Sequence, residues 1–215
     1  MIEELFSRYQ NEARKADILF KTIAEKYPLS VKCRIRCCDC CHAIFGVFPI
    51  EAAYINYHLN RLERKIRRDV QRRAEKSEAE MIKATDKLKD VFKDDPKMQL
   101  YGLGKQRVRC PLLSEKDECV LYEYRPMICR VYGVPFSLKQ KNDKEVSYAC
   151  GLSGFQAKVS YPAVKLDRIY HILHELSMEL LARAGSLHPE KADNMISISK
   201  AVRMSFEAIV KGDLE

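Results

Sequence analysis

Cysteine is the residue type in this sequence that is most able to do chemistry, because thiolates are strong metal ligands. The sequence holds nine cysteines, five of them within the nine residues from Cys33 to Cys41. The pairs Cys37/Cys40 and Cys38/Cys41 have the Cys-x-x-Cys spacing that lets two thiolates reach one metal ion from a tight turn. An isolated cysteine is commonly a small buried hydrophobic residue, but five so close together and flanked by charge indicate metal ligands. We therefore predict eight metal-binding cysteines: Cys33, Cys37, Cys40, Cys41, Cys110, Cys119, Cys129 and Cys150.

The ninth cysteine is predicted to be spare. Cys38 is the first candidate for this role and Cys33 is the second. Neighbouring side chains of an extended chain point to opposite sides, so Cys40 and Cys41 are not expected to bind one ion together. Eight thiols suffice for two four-thiol sites, and equally for one such site with further cysteines around it.

The compartment in which these thiols work is predicted to be the cytoplasm. Met1-Ile2-Glu3-Glu4-Leu5 carries acids where a secretory signal peptide would carry bases. The longest apolar run, 43–50, is far shorter than the roughly 18 residues of a membrane span. Structural disulfides are rare in a reducing cytosol, and an odd number of cysteines cannot all pair. The thiols are therefore interpreted as metal ligands, in a protein that does not enter a membrane.

The metal itself is less strongly indicated than its ligands. Four thiolates hold either a structural zinc ion or an iron–sulfur cluster. Arg34, Arg36, Arg109 and Arg130 lie beside cysteines and would offset the negative charge of either centre. The eight thiols and the vicinal pair favour an iron–sulfur cluster, of the [4Fe–4S] type, over zinc.

Further motifs around the cysteines resemble a known family. Arg-Pro-x-x-Cys-Arg is present at Arg125–Arg130, and Cys110-Pro111-Leu112-Leu113 and Cys119-Val120-Leu121-Tyr122 precede it. Together with 37–41 and Phe48-Pro49-Ile50 they are similar to the CxxCxxCC (YkgJ-type) family of zinc- or iron-chelating proteins. The likeness spans about 33–150. It departs from the family in one place, where three residues instead of two separate Cys33 from Cys37.

The resemblance implies a metal centre without an assigned activity. Besides the eight ligands, Cys38, Arg125 and Arg130 are candidates for residues packed around the centre. Flagellin lysine methylases carry a related iron–sulfur module, so a lysine methylase-like enzyme is one alternative. No motif for S-adenosylmethionine or for a protein substrate accompanies it, and whether the chain is an enzyme stays open.

The elements that must position the thiols are mainly helices. Apolar residues recur every three or four positions over 2–27, and similar patterns cover 51–92, 162–184 and 189–210. The glycine- and proline-rich stretch 96–160 is predicted to be irregular, with short strands at Val108 and 131–136. We expect a mainly α fold, with helices around a cysteine-rich, irregular metal-binding core and at most short strands. The expected organisation is one domain over 1–215, with a helical excursion at about 51–94.

A basic segment, Arg61–Lys76, accounts for most of the net charge of +8, since it holds eight Lys and Arg against three Asp and Glu. Such a segment is most often a solvated helix face with ion pairs between residues i and i+4. The alternative is an interaction module that binds an acidic protein or a nucleic acid. The oligomeric state is not indicated.

Overall fold

Helices dominate the structure, a computed structural model that describes residues 2–139, 145–156 and 159–214. The α-helices are α1 (Ile2–Lys26), α2 (Pro49–Leu59), α3 (Arg64–Val91), α4 (Pro96–Lys105), α5 (Met127–Val131), α6 (Leu166–Arg183), α7 (Ile198–Arg203) and α8 (Phe206–Lys211). Short 3-10 helices occur at Cys40–His42, Tyr122–Tyr124 and Pro189–Asp193. The strands are β1 (Gly46–Val47), β2 (Phe136–Lys139), β3 (Glu145–Tyr148), β4 (Val164–Lys165) and β5 (Ile196–Ser197). The predicted fold class, helices with a cysteine-rich region and few short strands, is confirmed.

The hydrophobic core forms around α2, which is buried on nearly every side. A helix with apolar residues all round is expected in the centre of a protein rather than at its surface. Helices α1, α6, α7 and α8 all pack against α2. The apolar stripe of α1 includes Leu5, Tyr9, Ala13 and Ala16, all buried, which confirms the helix predicted for the N-terminal segment.

One long helix was expected from Glu51 to about Phe92, and the structure instead has two. Helix α2 ends at Leu59, and α3 begins at Arg64 after an extended residue, Glu63. Helix α3 packs against α7, although most residues of its polar middle, 67–80, are exposed or half-buried. The buried residues of this stretch are Val70, Ala74 and Ser77, whose weak hydrophobic signal is masked by the charges around them.

The last predicted helix, 189–210, is also divided. Ser197 Oγ accepts a hydrogen bond from Lys200 N, and Ser205 Oγ accepts one from Ala208 N, so each serine caps a new helix. Ile196 and Ser197 pair as β5 with β1 in an antiparallel ladder. This pairing brings the C-terminal helices to the edge of the cysteine-rich region.

The short strands differ in place from those expected. Residues 127–131 form α5, and the strand follows as β2, which pairs antiparallel with β3 and parallel with β4. Val164–Lys165 is β4, so the helix expected from Pro162 begins at Leu166. Val108 lies beside an isolated bridge between Ala43 and Arg107. Among the described helices, none is both long and apolar enough to cross a membrane.

Candidate metal centre

The structure brings eight cysteines to the wall of one cavity of about 570 Å³. They are the eight predicted as ligands: Cys33, Cys37, Cys40, Cys41, Cys110, Cys119, Cys129 and Cys150. Cys38 lines a second cavity of about 590 Å³ next to it, with His42 and Arg107. Cys37 and Asp39 line both cavities, so they lie on the wall between them.

Backbone hydrogen bonds tie the two cysteine segments together, although about 70 residues separate them in the sequence. Cys41 O accepts a hydrogen bond from Cys110 N at 2.7 Å, and His42 O accepts one from Val108 N at 3.0 Å. These bonds adjoin the antiparallel bridge between Ala43 and Arg107. Cys41 and Cys110 are therefore held side by side by the backbone.

Cys119 joins Cys110 through a tight loop. Leu113 and Cys119 form an antiparallel bridge, and Val120 N donates to Leu112 O at 2.9 Å. The loop between them contains Asp117 with φ of 56°, a left-handed conformation that aspartate tolerates better than most residues.

Cys129 lies on α5, whose N-terminus is held by a buried carboxylate. Glu51 Oε1 accepts a hydrogen bond from Met127 N at 2.8 Å and another from Tyr9 O–H at 3.3 Å. Glu51 Oε2 accepts from Phe48 N at the start of α2. Burial raises the pKa of Glu51 to about 7, since desolvation outweighs these hydrogen bonds.

Cys40, Cys41, Cys110, Cys119 and Cys129 form what we call the inner group. The Cys40 thiolate accepts hydrogen bonds from the thiols of Cys129 and Cys41, which lowers the pKa of Cys40. Burial raises the pKa of Cys110 to about 12 and that of Cys119 to about 11. Within this group the Cys40 thiol therefore loses its proton more readily than the thiols of Cys41 and Cys129, whose pKa values are raised.

The extended conformation assumed for Cys40 and Cys41 was wrong, because Cys40–His42 is a 3-10 helix. That the two thiols do not bind one ion together stays a prediction. The thiols of Cys40 and Cys41 hydrogen-bond to each other and share the cavity wall.

Cys33, Cys37 and Cys150, with the carboxylate of Asp39, form the outer group. The Cys33 and Cys37 thiols are hydrogen-bonded to each other, and Cys150 Sγ donates to Asp39 Oδ2 at 3.2 Å. Burial and the neighbouring thiols Cys37 and Cys150 raise the pKa of Cys33 to about 12. Cys33 is nevertheless solvent-exposed as a residue, while Cys150 is buried.

Arginines lie around the cavity, and acids hold most of them in place. Arg125 and Arg130 line it and both bind Asp17 of α1, at 2.9 and 2.5 Å. Arg130, only 6% exposed, also donates to the carbonyls of Arg125 and Glu123, so it fixes the chain before α5. Arg125 lowers the pKa of Cys119, against the larger effect of burial.

The residues suit a thiophilic centre by their chemistry, because eight cysteine thiols line one half-open cavity. As the side chains stand, however, no three His, Cys, Asp or Glu residues in the described part of the chain form a group that could hold one metal ion. Metal binding therefore requires either that cysteine side chains rotate toward one another, or that the bound centre is large enough to span the space between their thiols.

Sequence reasoning missed the residues that position the thiols. Asp17 binds Arg130, and Asp39 accepts a hydrogen bond from Cys150. Glu51 accepts a hydrogen bond from the first residue of α5, and Gly133 lies against Cys33. The sequence carries a signal for Asp39 alone, which lies inside the cysteine motif.

The basic segment lies mostly outside this cavity. Arg64, Lys65, Arg68 and Arg72 are exposed along α3, and Arg72 pairs with Asp69. Arg73 instead turns inward and donates to Pro111 O at 2.8 Å.

Comparison with known protein families agrees with the cysteine pattern. A family model, CxxCxxCC, described as a putative zinc- or iron-chelating domain, matches residues 32–151. No curated protein and no solved structure matches the chain significantly. The matched residues include all nine cysteines and make up more than half of the sequence, so the chain belongs to the CxxCxxCC family.

Proposed function

We propose that the inner group holds an iron–sulfur cluster, of the [4Fe–4S] type, as the resident metal centre of this chain. The observation that carries the proposal is the convergence of five thiols on one cavity from the cysteine motif, the Cys110–Cys119 loop and α5. A centre there would serve structure, electron transfer or metal handling. Its ligands would link the cysteine motif, the Cys110–Cys119 loop and α5.

The size of the cavity favours a cluster over a single ion. A structural zinc site needs four thiolates about 2.3 Å from one ion, so its sulfur atoms nearly touch. The thiols here lie on the wall of a half-open cavity of about 570 Å³, which has room for a group larger than one ion. A cluster is instead held by four thiolates around its periphery.

The surrounding residues suit a negatively charged, water-excluding site. Leu112, Leu113 and Pro111 are buried and line the cavity beside Cys110. Arg125 adds positive charge near Cys119. Low polarity and nearby cations are the means by which a protein sets the reduction potential of a cluster. When bound, such a cluster supplies one-electron transfer.

Metal analysis after anaerobic purification tests this proposal. We expect a brown protein that contains iron and acid-labile sulfide in equal amounts, with a broad visible absorption. Zinc without iron would overturn the cluster and leave chelation by thiols in place. A colourless protein that contains neither metal, even after reconstitution with iron and sulfide or with zinc, would refute metal binding altogether.

A further inference from the structure

The second cavity, next to the thiol-lined one, carries four cationic side chains on its wall: Lys32, Arg34, Arg36 and Arg107. We propose that this cavity binds a small organic polyanion, a molecule with two or more phosphate or carboxylate groups. The site goes beyond the metal centre proposed above, because it uses cationic side chains rather than thiols. It does not depend on which metal the thiols hold.

Positive charge exceeds negative charge at this cavity. In the described part of the chain, Asp39 is the single carboxylate on the cavity wall, and Arg107 already binds it. Neither Lys32 nor Arg34 forms an ion pair with any residue of 2–139, 145–156 or 159–214. A cleft lined by charges of one sign concentrates their field and raises the local concentration of the opposite ion. The charge of the wall therefore favours an anionic ligand.

Two of the four cations are held in place by acidic residues. Arg107 Nη2 donates to Asp39 O at 2.9 Å and also binds Asp39 Oδ1. Arg36 pairs with Glu118 through Nε at 3.4 Å, which leaves its Nη1 and Nη2 groups for another acceptor. The planar guanidinium group matches the oxygen spacing of phosphate and carboxylate groups. Donors that are already positioned lower the cost of ordering on binding.

The size and composition of the cavity suit a small organic molecule better than an inorganic ion. Its volume of about 590 Å³ lies within the range of about 300–1,000 Å³ that is typical of small-molecule sites. Leu152 also lines it and would contact the carbon part of a ligand. Backbone hydrogen bonds from Gly154 N to Ser30 O, at 2.8 Å, and from Val108 N to His42 O, at 3.0 Å, tie the segments of the wall together.

The four cations differ in how they relate to the thiols. Arg34 and Arg36 line both cavities, so their charges can also offset thiolates of the metal centre. Lys32 and Arg107 line the second cavity and not the first. Because Arg107 also holds Asp39, Lys32 is the residue whose removal reports on the second cavity alone.

Equilibrium binding of two small polyanions tests the proposal. Anaerobically purified protein is titrated calorimetrically with a hexose bisphosphate and, separately, with succinate, at constant ionic strength. We expect a single saturable site per chain for at least one of these probes. Tighter binding of the bisphosphate would identify phosphate as the ligand group, and tighter binding of succinate would identify carboxylate.

Variants of the cavity wall locate the binding site. We expect Lys32→Ala to weaken binding several-fold, and Lys32→Ala with Arg34→Ala to weaken it by about tenfold or more, because charge-assisted hydrogen bonds are lost. Lys83→Ala with Lys87→Ala is the matched control, since these exposed lysines of α3 line neither cavity and the double change removes the same charge. The control should bind both probes as the wild type does.

Cys38 provides a second readout, because it lines the second cavity and not the first. A bound probe is expected to slow the alkylation of Cys38 several-fold, measured by mass spectrometry on the same anaerobic protein. Unchanged alkylation of Cys38 at a saturating concentration of probe would place the ligand elsewhere and overturn the assignment to this cavity.

The remaining outcomes separate this proposal from that of the metal centre. Absence of saturable binding by either probe would refute the anion site. Equal weakening by the two double variants would also overturn it, because net charge rather than the cavity would then attract the probe. Iron, sulfide and zinc are measured in every sample. A protein that binds a probe at Lys32 but contains no metal would support this proposal and refute the first, and a metal-containing protein that binds no probe would do the reverse.

Discussion

Cys33 Sγ occupies the space that a Cβ on residue 133 would need, so Gly133 is what allows this thiol to lie at the cavity wall. A Cβ on residue 133 would also lie 3.2 Å from the ring of Phe20 on α1. The environment that raises the pKa of Cys33 to about 12 depends on this close approach.

Gly133→Ala is therefore expected to displace the Cys33 side chain toward solvent. Its pKa should then fall toward the ordinary value of 9.0, and more of it would be thiolate at neutral pH. We expect the alkylation rate of Cys33 in the metal-free protein, mapped by mass spectrometry, to rise several-fold. Gly104→Ala is the control, since a Cβ at residue 104 meets nothing within 4 Å. Equal rates in the two variants would contradict the role assigned to Gly133.

The sequence predicts the thiols better than it predicts what holds them. The clustering of cysteines and the motifs around them select the eight cysteines that line the cavity, because both are local properties of the chain. Gly133 carries no such signal, since its importance arises only when Cys33, 100 residues away, packs against it. The buried face of α3 was missed for a related reason: Ala74 and Ser77 pack through their small size, which hydrophobic periodicity does not register.

Cys38 and Cys129 should differ sharply in their effect on the metal. Cys38 is outside the main cavity, whereas Cys129 is hydrogen-bonded to the Cys40 thiolate at its wall. Cys38→Ser is expected to keep the iron and sulfide content of the wild type, and Cys129→Ser to lose most of it. The measurement is metal analysis of proteins purified side by side without oxygen. If Cys38→Ser lost the centre to the same extent, the division of the cysteines between the two cavities would not reflect their function.

The buried carboxyl of Glu51 is expected to make the free energy of unfolding depend on pH. Its pKa is 4.5 in the unfolded chain and about 7 in the fold, so the folded protein binds the proton more tightly. The stabilisation is fully present below about pH 4.5 and is lost as the pH rises through 7, by about 3 kcal/mol in total. Glu51→Gln removes this loss and keeps an oxygen acceptor for Met127 N.

We therefore expect the free energy of unfolding of Glu51→Gln, measured in urea, to rise relative to that of the wild type as the pH increases from 5 to 8. Glu179→Gln is the control, because hydrogen bonds from Arg8 and Arg183 lower the pKa of Glu179. The difference in stability between that variant and wild type should therefore stay constant between pH 5 and pH 8, since a lowered carboxyl pKa changes stability only below about pH 4.5. A Glu51→Gln difference that does not vary with pH would show that Glu51 is ionised in the fold at pH 5.

The exposed basic residues of α3 test the hypothesis of a polyanionic partner. Arg64 and Arg68 lie one turn apart on the solvent face, and Lys83 and Lys87 have the same spacing near the other end of the helix. The double reversal Arg64→Glu and Arg68→Glu is expected to weaken binding of a labelled single-stranded RNA, followed by fluorescence anisotropy. Each lost phosphate contact should also reduce the slope of log affinity against log salt by about 0.7.

The double reversal Lys83→Glu and Lys87→Glu makes the same change in net charge, so it separates a localised surface from a general attraction. If RNA binds at the N-terminal end of α3, only the Arg64→Glu and Arg68→Glu variant should bind it more weakly. Equal weakening in both variants would mean that the net charge of +8, rather than this face, attracts the RNA. Unchanged binding in both would leave the segment as a solvated helix face, stabilised by pairs such as Arg72 with Asp69.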